Sequence, residues 1–206
     1  MFYLPRIPSW FSKLNPSMVW NIPTQEKELY LTFDDGPHQT ATPFVLDQLR
    51  QYNAKATFFC IGKNVAAYPH IYQRILNEGH ATGNHTFDHT NGWQVKNDEY
   101  INSIIEAEKY IQSKLFRPPY GKISPFVSKL LRKKLGYKVV MWDVLSADFD
   151  EKISAKKCAE NVLLNVKRGS IIVFHDSTKA WERMHYALEK TLQYFSNQGF
   201  CFKAIT

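Results

Sequence analysis

Asp34 and Asp35 stand side by side at the end of an apolar run, Leu29 to Phe33, and Gly36-Pro37 stops the chain directly after them. Two adjacent carboxylates repel each other unless a cation or a positive side chain sits between them. Asp, Gly and Pro also favour turns, so Thr32-Phe33-Asp34-Asp35-Gly36-Pro37 alone reads equally well as a turn. His85 and His89 shift that balance. Their spacing of four residues brings both imidazoles to one side of a helical turn, as metal ligation requires. With a carboxylate from Asp34 or Asp35 the set becomes two histidines and one acid, and coordination positions stay open for water and substrate. Such a centre lowers the pKa of bound water from about 15.7 to about 7, which makes a nucleophile at neutral pH. The second aspartate is then free to take the proton from that water. Non-haem iron oxygenases use the same ligand set on scaffolds expected to be mainly β, and dependence on Fe(II) and O₂ separates oxidation from hydrolysis.

The elements that must position these groups alternate. Leu29–Asp34 reads as a strand, Pro43–Tyr52 as a helix striped by Phe44, Val45, Leu46 and Leu49, and Lys55–Ile61 as a second strand. A helical stretch then runs to Gly79, and the short strand His80–Asn84 leads into His85. Asp98 is the expected N-cap of a long helix reaching Lys114, with Ile101, Ile104, Ile105 and Ile111 at helical spacing. Leu115–Pro118 is a brief strand stopped by prolines, and Ser124–Leu135 is a helix closed by Gly136. Tyr137–Asp143 is a β-branched and aromatic strand, and Ser154–Val166 a helix. Ser170–His175 is continuously apolar, as a strand buried on both faces must be. Lys179–Asn197 and Phe200–Ile205 complete the series.

Strict alternation implies parallel βα units. There are about seven, short of the eight of a full barrel of about 250 residues, so the expected fold is a distorted or incomplete (β/α) barrel with about seven parallel strands. A doubly wound sheet is the alternative, but no glycine-rich dinucleotide loop follows the first strand. On this map Asp34 and Asp35 end the first strand, His85 the third, Arg117 the fourth, Asp143 the fifth and His175 the sixth. These are carboxyl ends, the face on which parallel barrels carry active sites. Residues 1–28, broken by Pro5, Pro8 and Pro16, are an N-terminal segment expected to pack on one catalytic domain over 29–206.

With 44% apolar and 15% aromatic residues in 206, the chain can bury a real core and is not disordered. No apolar run approaches the roughly 18 residues of a membrane span. The first twenty residues lack the apolar core of about 7–15 residues that a signal peptide needs, which predicts a cytoplasmic location unless a leader has been removed. The net charge of +7 favours anionic partners in general. Its densest cluster, Arg132-Lys133-Lys134, falls in the last turn of a helix, where the macrodipole accounts for it. No basic–aromatic platform or nucleic-acid motif occurs, so nucleic acid is not an expected partner. Cys60, Cys158 and Cys201 lack metal or disulfide spacing; Cys60 and Cys201 read as small core hydrophobes.

Thr-Phe-Asp-Asp-Gly-Pro at 32–37, His-Thr-x-x-His at 85–89, Arg-Pro-Pro-Tyr-Gly at 117–121, the Trp142–Phe149 stretch and Val-Phe-His at 173–175 resemble the ordered motifs of the polysaccharide deacetylases. This is the NodB-homology domain, or carbohydrate esterase family four, and the resemblance runs from Leu29 to Thr206. It implies a metal-dependent hydrolase removing N-acetyl groups from an amino-sugar-containing saccharide such as chitooligosaccharide or peptidoglycan. Asp35, His85 and His89 would hold one divalent metal ion, Zn²⁺ by default, with Co²⁺, Mn²⁺ or Ni²⁺ as alternatives. Asp34 would be the general base, with Arg117 clamping it in its ionised form. His175 would be the general acid that protonates the departing amine, and Asp148 would hold its imidazolium. Pro118 and Pro119 have no amide hydrogen, so Tyr120 offers the first backbone N–H after Arg117 and is placed to stabilise the oxyanion.

Some positions depart from the family pattern. Phe149 stands where relatives usually have Trp, and Val173 where they usually have Leu. Both line the pocket for the acyl methyl in relatives, so the smaller groups imply a roomier pocket and looser acetyl selectivity. The connection before Arg117 is short and lacks the usual Thr-Gly turn. Asp143 and Asp150 lie near enough in sequence to compete with Asp148 for His175. The alternatives are the same fold hydrolysing a formamido sugar, ureide or imide, or a saccharide-binding protein without turnover. His38 is expected at a helix N-terminus or the rim, and His70, His80 and His185 as solvated or core-satisfied. Asp88 and Asp176 are expected as partners of site histidines, with a turn as the other reading of Asp176. Trp93 and Trp181 suit either sugar platforms at the rim or buried packing.

Overall fold

Strand β1 (Glu28–Asp34) lies at the centre of the computed structural model, which describes residues 4–206. It pairs in parallel with β2 (Ala56–Cys60) on one side and with β7 (Ile171–His175) on the other. Outward from β2 come β3 (Ala81–Asn84), β4 (Leu115–Phe116) and β5 (Lys138–Val139); outward from β7 comes β6 (Val144–Leu145). β8 (Cys201–Phe202) adds a short parallel pairing to the start of β1. Every named pairing is parallel. The connections carry α2 (Ala41–Gln51), α3 (Gly62–Ala67), α4 (Pro69–Asn77), α5 (Asn97–Glu108), α6 (Pro125–Lys134), α7 (Ala155–Leu163) and α8 (Trp181–Asn197), while α1 (Ser9–Leu14) precedes the sheet.

Taken around the sheet, strands one to seven follow chain order, and the one break lies between β5 and β6. Only residues 140–143 join those two edges. At about 3.3–3.6 Å per residue so short a link forces the edges together, and the sheet curls into a distorted (β/α) barrel with a seam. The expected strand Tyr137–Asp143 is therefore wrong in detail: it breaks after Val139. The backbone groups that would have continued its ladder go elsewhere. Val19 accepts from Met141 N–H and donates to the Val139 carbonyl, and the Val140 and Met141 carbonyls accept from the Arg117 side chain. Nearer β6, Ile7 N–H donates to the Asp143 carbonyl and Leu145 N–H to that of Pro5. The proline-broken N-terminal segment thus lines the seam; residues 1–3 of that segment lie outside the described residues.

The pleat sorts side chains into two cores. Leu29, Leu31 and Phe33 of β1 face outward with Phe58, Ile172 and Phe174, under Val45, Leu46, Met184 and Leu188 of the helices. Phe33 stacks between Phe58 and Phe174, with ring centroids 5.1 and 6.0 Å away. Inside the barrel, Tyr30, Phe59, Leu115, Val140 and Ile171 form an apolar cluster. Thr32 and Asp34 share the inward face of β1 with Tyr30, and Val173 and His175 share that of β7 with Ile171. Toward the carboxyl ends the inward face therefore turns polar.

Other expectations shift at element ends. Helix α5 starts at Asn97 after Lys96, so Asp98 is not its N-cap but sits in the first turn, where its charge still complements the macrodipole. It stops at Glu108, short of the expected Lys114, and beyond it Ser113 Oγ donates to the Thr82 carbonyl just before β4. Cys60 is buried as expected, whereas Cys201 is exposed on the short β8. Among the described residues no helix is long and apolar enough to cross a membrane.

Candidate active site at the barrel mouth

Asp35 lies immediately past β1 in a left-handed conformation, φ 82°, and its carbonyl accepts from Asn64 Nδ2 at 2.7 Å. His85 follows β3, and His89 lies within the irregular loop that follows rather than on a helical turn. Left-handed Thr86 (φ 66°) and His89 (φ 63°) replace the helix in bringing the two rings 5.1 Å apart. His85 Nδ1 donates to the Arg117 carbonyl at 2.7 Å, a partner that can only accept, so Nε2 carries the lone pair. Burial pushes the His85 pKa well below its ordinary value, and the neighbouring His89 adds to the fall, which keeps the ring neutral. Both Nε2 atoms face the same oxygen: Asp35 Oδ1 stands 3.3 Å from that of His89 and 3.9 Å from that of His85. That oxygen is buried without a hydrogen-bond partner. One donor atom from each residue lies within 4.8 Å of the others. Such spacing suits a cation bonded at about 2.0–2.2 Å to two imidazoles and a carboxylate, and a buried carboxylate oxygen left without a donor is costly unless a cation serves it.

Two charged pairs flank this cluster. Arg117 Nη1 donates to Asp34 Oδ1 at 2.7 Å and to Thr32 Oγ1 at 2.6 Å; Nη2 donates to the Met141 carbonyl and Nε to that of Val140. The guanidinium is fully buried and lies 4.1 Å from the centroid of the Phe59 ring. On the other side Asp148 Oδ1 accepts from His175 Nδ1 at 2.7 Å, and Oδ2 accepts from the His175 backbone N–H at 2.7 Å. Burial by itself would lower the His175 pKa, but the Asp148 charge and hydrogen bond, reinforced by Asp35 and Asp34, lift it to about 10. Arg183 Nε donates to the Asp148 carbonyl at 2.7 Å and fixes that residue from behind.

Tyr120 is left-handed at φ 58° in the turn Pro119–Gly121, and its ring packs 4.6 Å from that of His89. Phe149 presents its ring edge-on to His175 at 5.3 Å. Val173 is buried on the same strand face as His175, one inward position deeper, beside Thr32. Of the six non-glycine residues with positive φ among those described, Asp35, Thr86, His89, Tyr120 and Ala147 are site residues or adjoin one. Backbone strain of this kind persists only where the surroundings over-determine it, and here it gathers at the mouth.

Several polar residues have other work. Asp143 is not at a carboxyl end: its oxygens accept from Ile171 N–H at 2.8 Å and Ser170 Oγ at 3.0 Å, at the amino end of β7 and away from His175. Burial pushes its pKa up to about 6. Asp176 binds no site histidine through its side chain; it accepts from Gly36 N–H at 3.0 Å and from Thr42 Oγ1, pinning the turn after Asp35. A Cβ at Gly36 would overlap that carboxylate, so the glycine of the motif is there for close approach. Asp88 bonds Thr90 and Ser103. His38 Nδ1 accepts from Thr40 and Ala41 N–H at the start of α2, and His80 Nδ1 from Ala56 N–H. Trp181 packs against Phe44 and His185, whereas Trp93 is exposed at the mouth. Thr32, Thr42 and Arg183 escaped the sequence reading. Thr32 stood two residues before Asp34 on the same strand face and was open to inference; Arg183, on a distant helix, was not.

Residues 21–140 match the sequence profile of the polysaccharide deacetylase family. A peptidoglycan-N-acetylglucosamine deacetylase of Bacillus cereus is 36% identical over 195 residues, covering 92% of this chain and 91% of that protein. A chitooligosaccharide deacetylase of Azorhizobium caulinodans is 37% identical, over 75% of this chain and 76% of the relative. The crystal structure of a peptidoglycan N-acetylglucosamine deacetylase bound to an N-hydroxybenzamide superposes with a TM-score of 0.87 at 36% identity, covering 95% of this chain and 94% of that one.

Proposed function

The chain belongs to the polysaccharide deacetylase family of metal-dependent N-deacetylases, and from that premise we propose that it removes N-acetyl groups from an amino-sugar polymer of the peptidoglycan or chitooligosaccharide class. Asp35, His85 and His89 are the residues that would hold the cation, by default zinc for such a donor set. When bound, a divalent cation supplies Lewis acidity, lowering the pKa of coordinated water and polarising the acyl oxygen. Asp34 accepts the proton of the attacking water, and Arg117 supplies the counter-charge that orients it. Tyr120 N–H donates to the oxygen on which negative charge develops. His175 gives its proton to the departing amine nitrogen while Asp148 stabilises the imidazolium. Phe149 and Val173 line the space for the acyl methyl.

The observation carrying this reading is the buried, unpartnered Asp35 Oδ1 facing two imidazole nitrogens, with a carboxylate base on one flank and an imidazolium acid on the other. The test is acetate release from N-acetylglucosamine oligomers and from peptidoglycan by zinc-loaded protein. Release is expected, to be abolished by chelator and lowered by about 10²–10⁴-fold in Asp34→Asn. No release from either polymer by metal-replete wild type would sink the proposal.

A further inference from the structure

Leu4, Trp10, Phe11 and Leu14 are all exposed, Trp10 at 63% and Leu14 at 68%, in one short stretch that hydrolysis does not use. The other exposed apolar side chains are scattered along the described chain. Helix α1 sorts the four. Phe11 holds the helix down, its ring 5.5 Å from that of Trp20 and at 88° to it. Trp20 is buried and donates its indole N–H to the Asn15 carbonyl at 3.1 Å. Trp10 and Leu14, at i and i+4, stay in water with Lys13 beside them. A cavity of about 260 Å³ opens next to α1, lined by Arg6, Trp10, Trp20, Asp143 and Lys167. Asp143 binds the amino end of β7, so this patch lies toward the end of the barrel opposite the mouth. Arg6, Lys13 and Lys167 are exposed around it. Asp143, the acid lining the cavity, is engaged by Ser170 and Ile171, and the first acidic residue in the chain is Glu26.

We propose that this end of the barrel docks on an anionic phospholipid surface, with Trp10 and Leu14 in the boundary between headgroups and acyl chains and Arg6, Lys13 and Lys167 against lipid phosphates. An indole favours that boundary because its body is apolar and its N–H is polar. A helix with an apolar face and cations at its edge lies in the plane of the interface. The cations and the lack of acids nearby complement the negative potential of such a surface. A protein groove suits α1 less. Helix-in-groove partners are read through anchors at i, i+3, i+4 and i+7, and α1 ends at Leu14, before any i+7 anchor to Trp10. Two inserted side chains and a few cations give reversible attachment, not the permanence of a spanning helix. Docked by this end, the protein keeps its mouth clear of the lipid. The proposal does not depend on the deacetylase reading.

The test is sedimentation of the full chain with vesicles of phosphatidylcholine, alone or mixed with phosphatidylglycerol, at low and high salt. Binding is expected to the mixed vesicles, about tenfold weaker to phosphatidylcholine alone and similarly weakened by high salt. Trp10→Ser combined with Leu14→Ser should lower binding about tenfold or more, and Lys13→Glu about threefold. All three side chains already stand in water, so the urea midpoint should not move. Trp10→Phe should keep most of the binding and lose the blue shift of indole emission that vesicles cause in wild type. Wild-type protein that ignores the mixed vesicles overturns the docking. So does binding that survives the double substitution, or that is equal on the two kinds of vesicle. A wild-type dimer broken by the double substitution, without lipid binding, gives the patch to a second copy of the chain and overturns it too. Vesicle binding by protein that releases no acetate keeps the docking and sinks the deacetylase reading; acetate release without vesicle binding does the reverse.

Discussion

Two aspartates at the mouth each hold a positive partner at 2.7 Å, and the two pairs are built differently. Asp34 is held by Arg117, a fully buried guanidinium that also donates to Thr32, Val140 and Met141. Its charge is permanent across any pH the protein meets. Asp148 is held to His175, whose side chain is 16% exposed and whose proton can leave. The same contact distance thus gives a carboxylate a fixed counter-charge in one place and a reserve proton in the other. What separates proposed base from proposed acid is the chemistry of the partner, not the position of the aspartate.

The hardest strain on that contrast is to remove each partner. Arg117→Met leaves Asp34 buried beside apolar atoms, and breaking a buried pair in this way costs about 3–5 kcal/mol of stability. His175→Gln keeps a polar group against Asp148. Its expected loss is smaller than that of Arg117→Met, because a neutral donor still faces the carboxylate, with kcat falling about 10²–10³-fold. Urea unfolding and acetate release on the two variants read both axes. Equal stability losses would erase the distinction between a structural clamp and a proton donor.

Proton supply sharpens the comparison next. With the His175 pKa raised to about 10, the acid is protonated at neutral pH, and kcat should fall only as pH rises through that value. Asp148→Asn removes the largest raising influence, so the fall should move down toward the ordinary imidazole value of about 6.5. Stability follows the same sign. A pKa raised on folding stabilises fully below about 6.5, and that contribution is lost as pH rises toward 10. Wild type should therefore lose unfolding free energy across this window relative to His175→Gln. An alkaline limb unmoved in Asp148→Asn would remove His175 as the titrating acid.

How much of this could be read in the chain follows from whether a residue's task is local. Asp34, Asp35, His85, Arg117 and His175 sit at or just past strand ends, so the alternation of strands and helices placed them on one face although it gave no sign of β6. The buried run of β7 and the alternation of strands and helices were equally legible, because burial on both faces writes itself into composition. The seam was not. Tyr137–Asp143 has strong strand character, yet its second half bonds Val19 and the side chain of Arg117, residues far away in sequence. The same holds for Asp143, which local reasoning set at a strand's end among the site residues and tertiary pairing sent to Ser170 and Ile171. His85 and His89 met as expected, but through two left-handed residues that no spacing rule supplies.

The smallest effect concerns the walls between the two pairs. Phe149 meets the His175 ring edge-on at 5.3 Å, and Val173 is buried one inward position below His175. Neither holds a proton, so neither should alter the pH profile. Both bound the space proposed for the acyl methyl, and each has a bulkier counterpart of similar character, Trp and Leu. Adding bulk with Phe149→Trp and Val173→Leu should shrink that space and favour acetyl over propionyl substrates. One methylene in an apolar pocket is worth about 1–3 kcal/mol at most, and a partly open wall captures only part of it, so the ratio of kcat/KM values should change about three- to tenfold. Competing acetyl- and propionyl-hexosamine oligomers in one reaction measures that ratio directly. A ratio unchanged in the double variant would move the acyl group off Phe149 and Val173, leaving the two charged pairs as they stand.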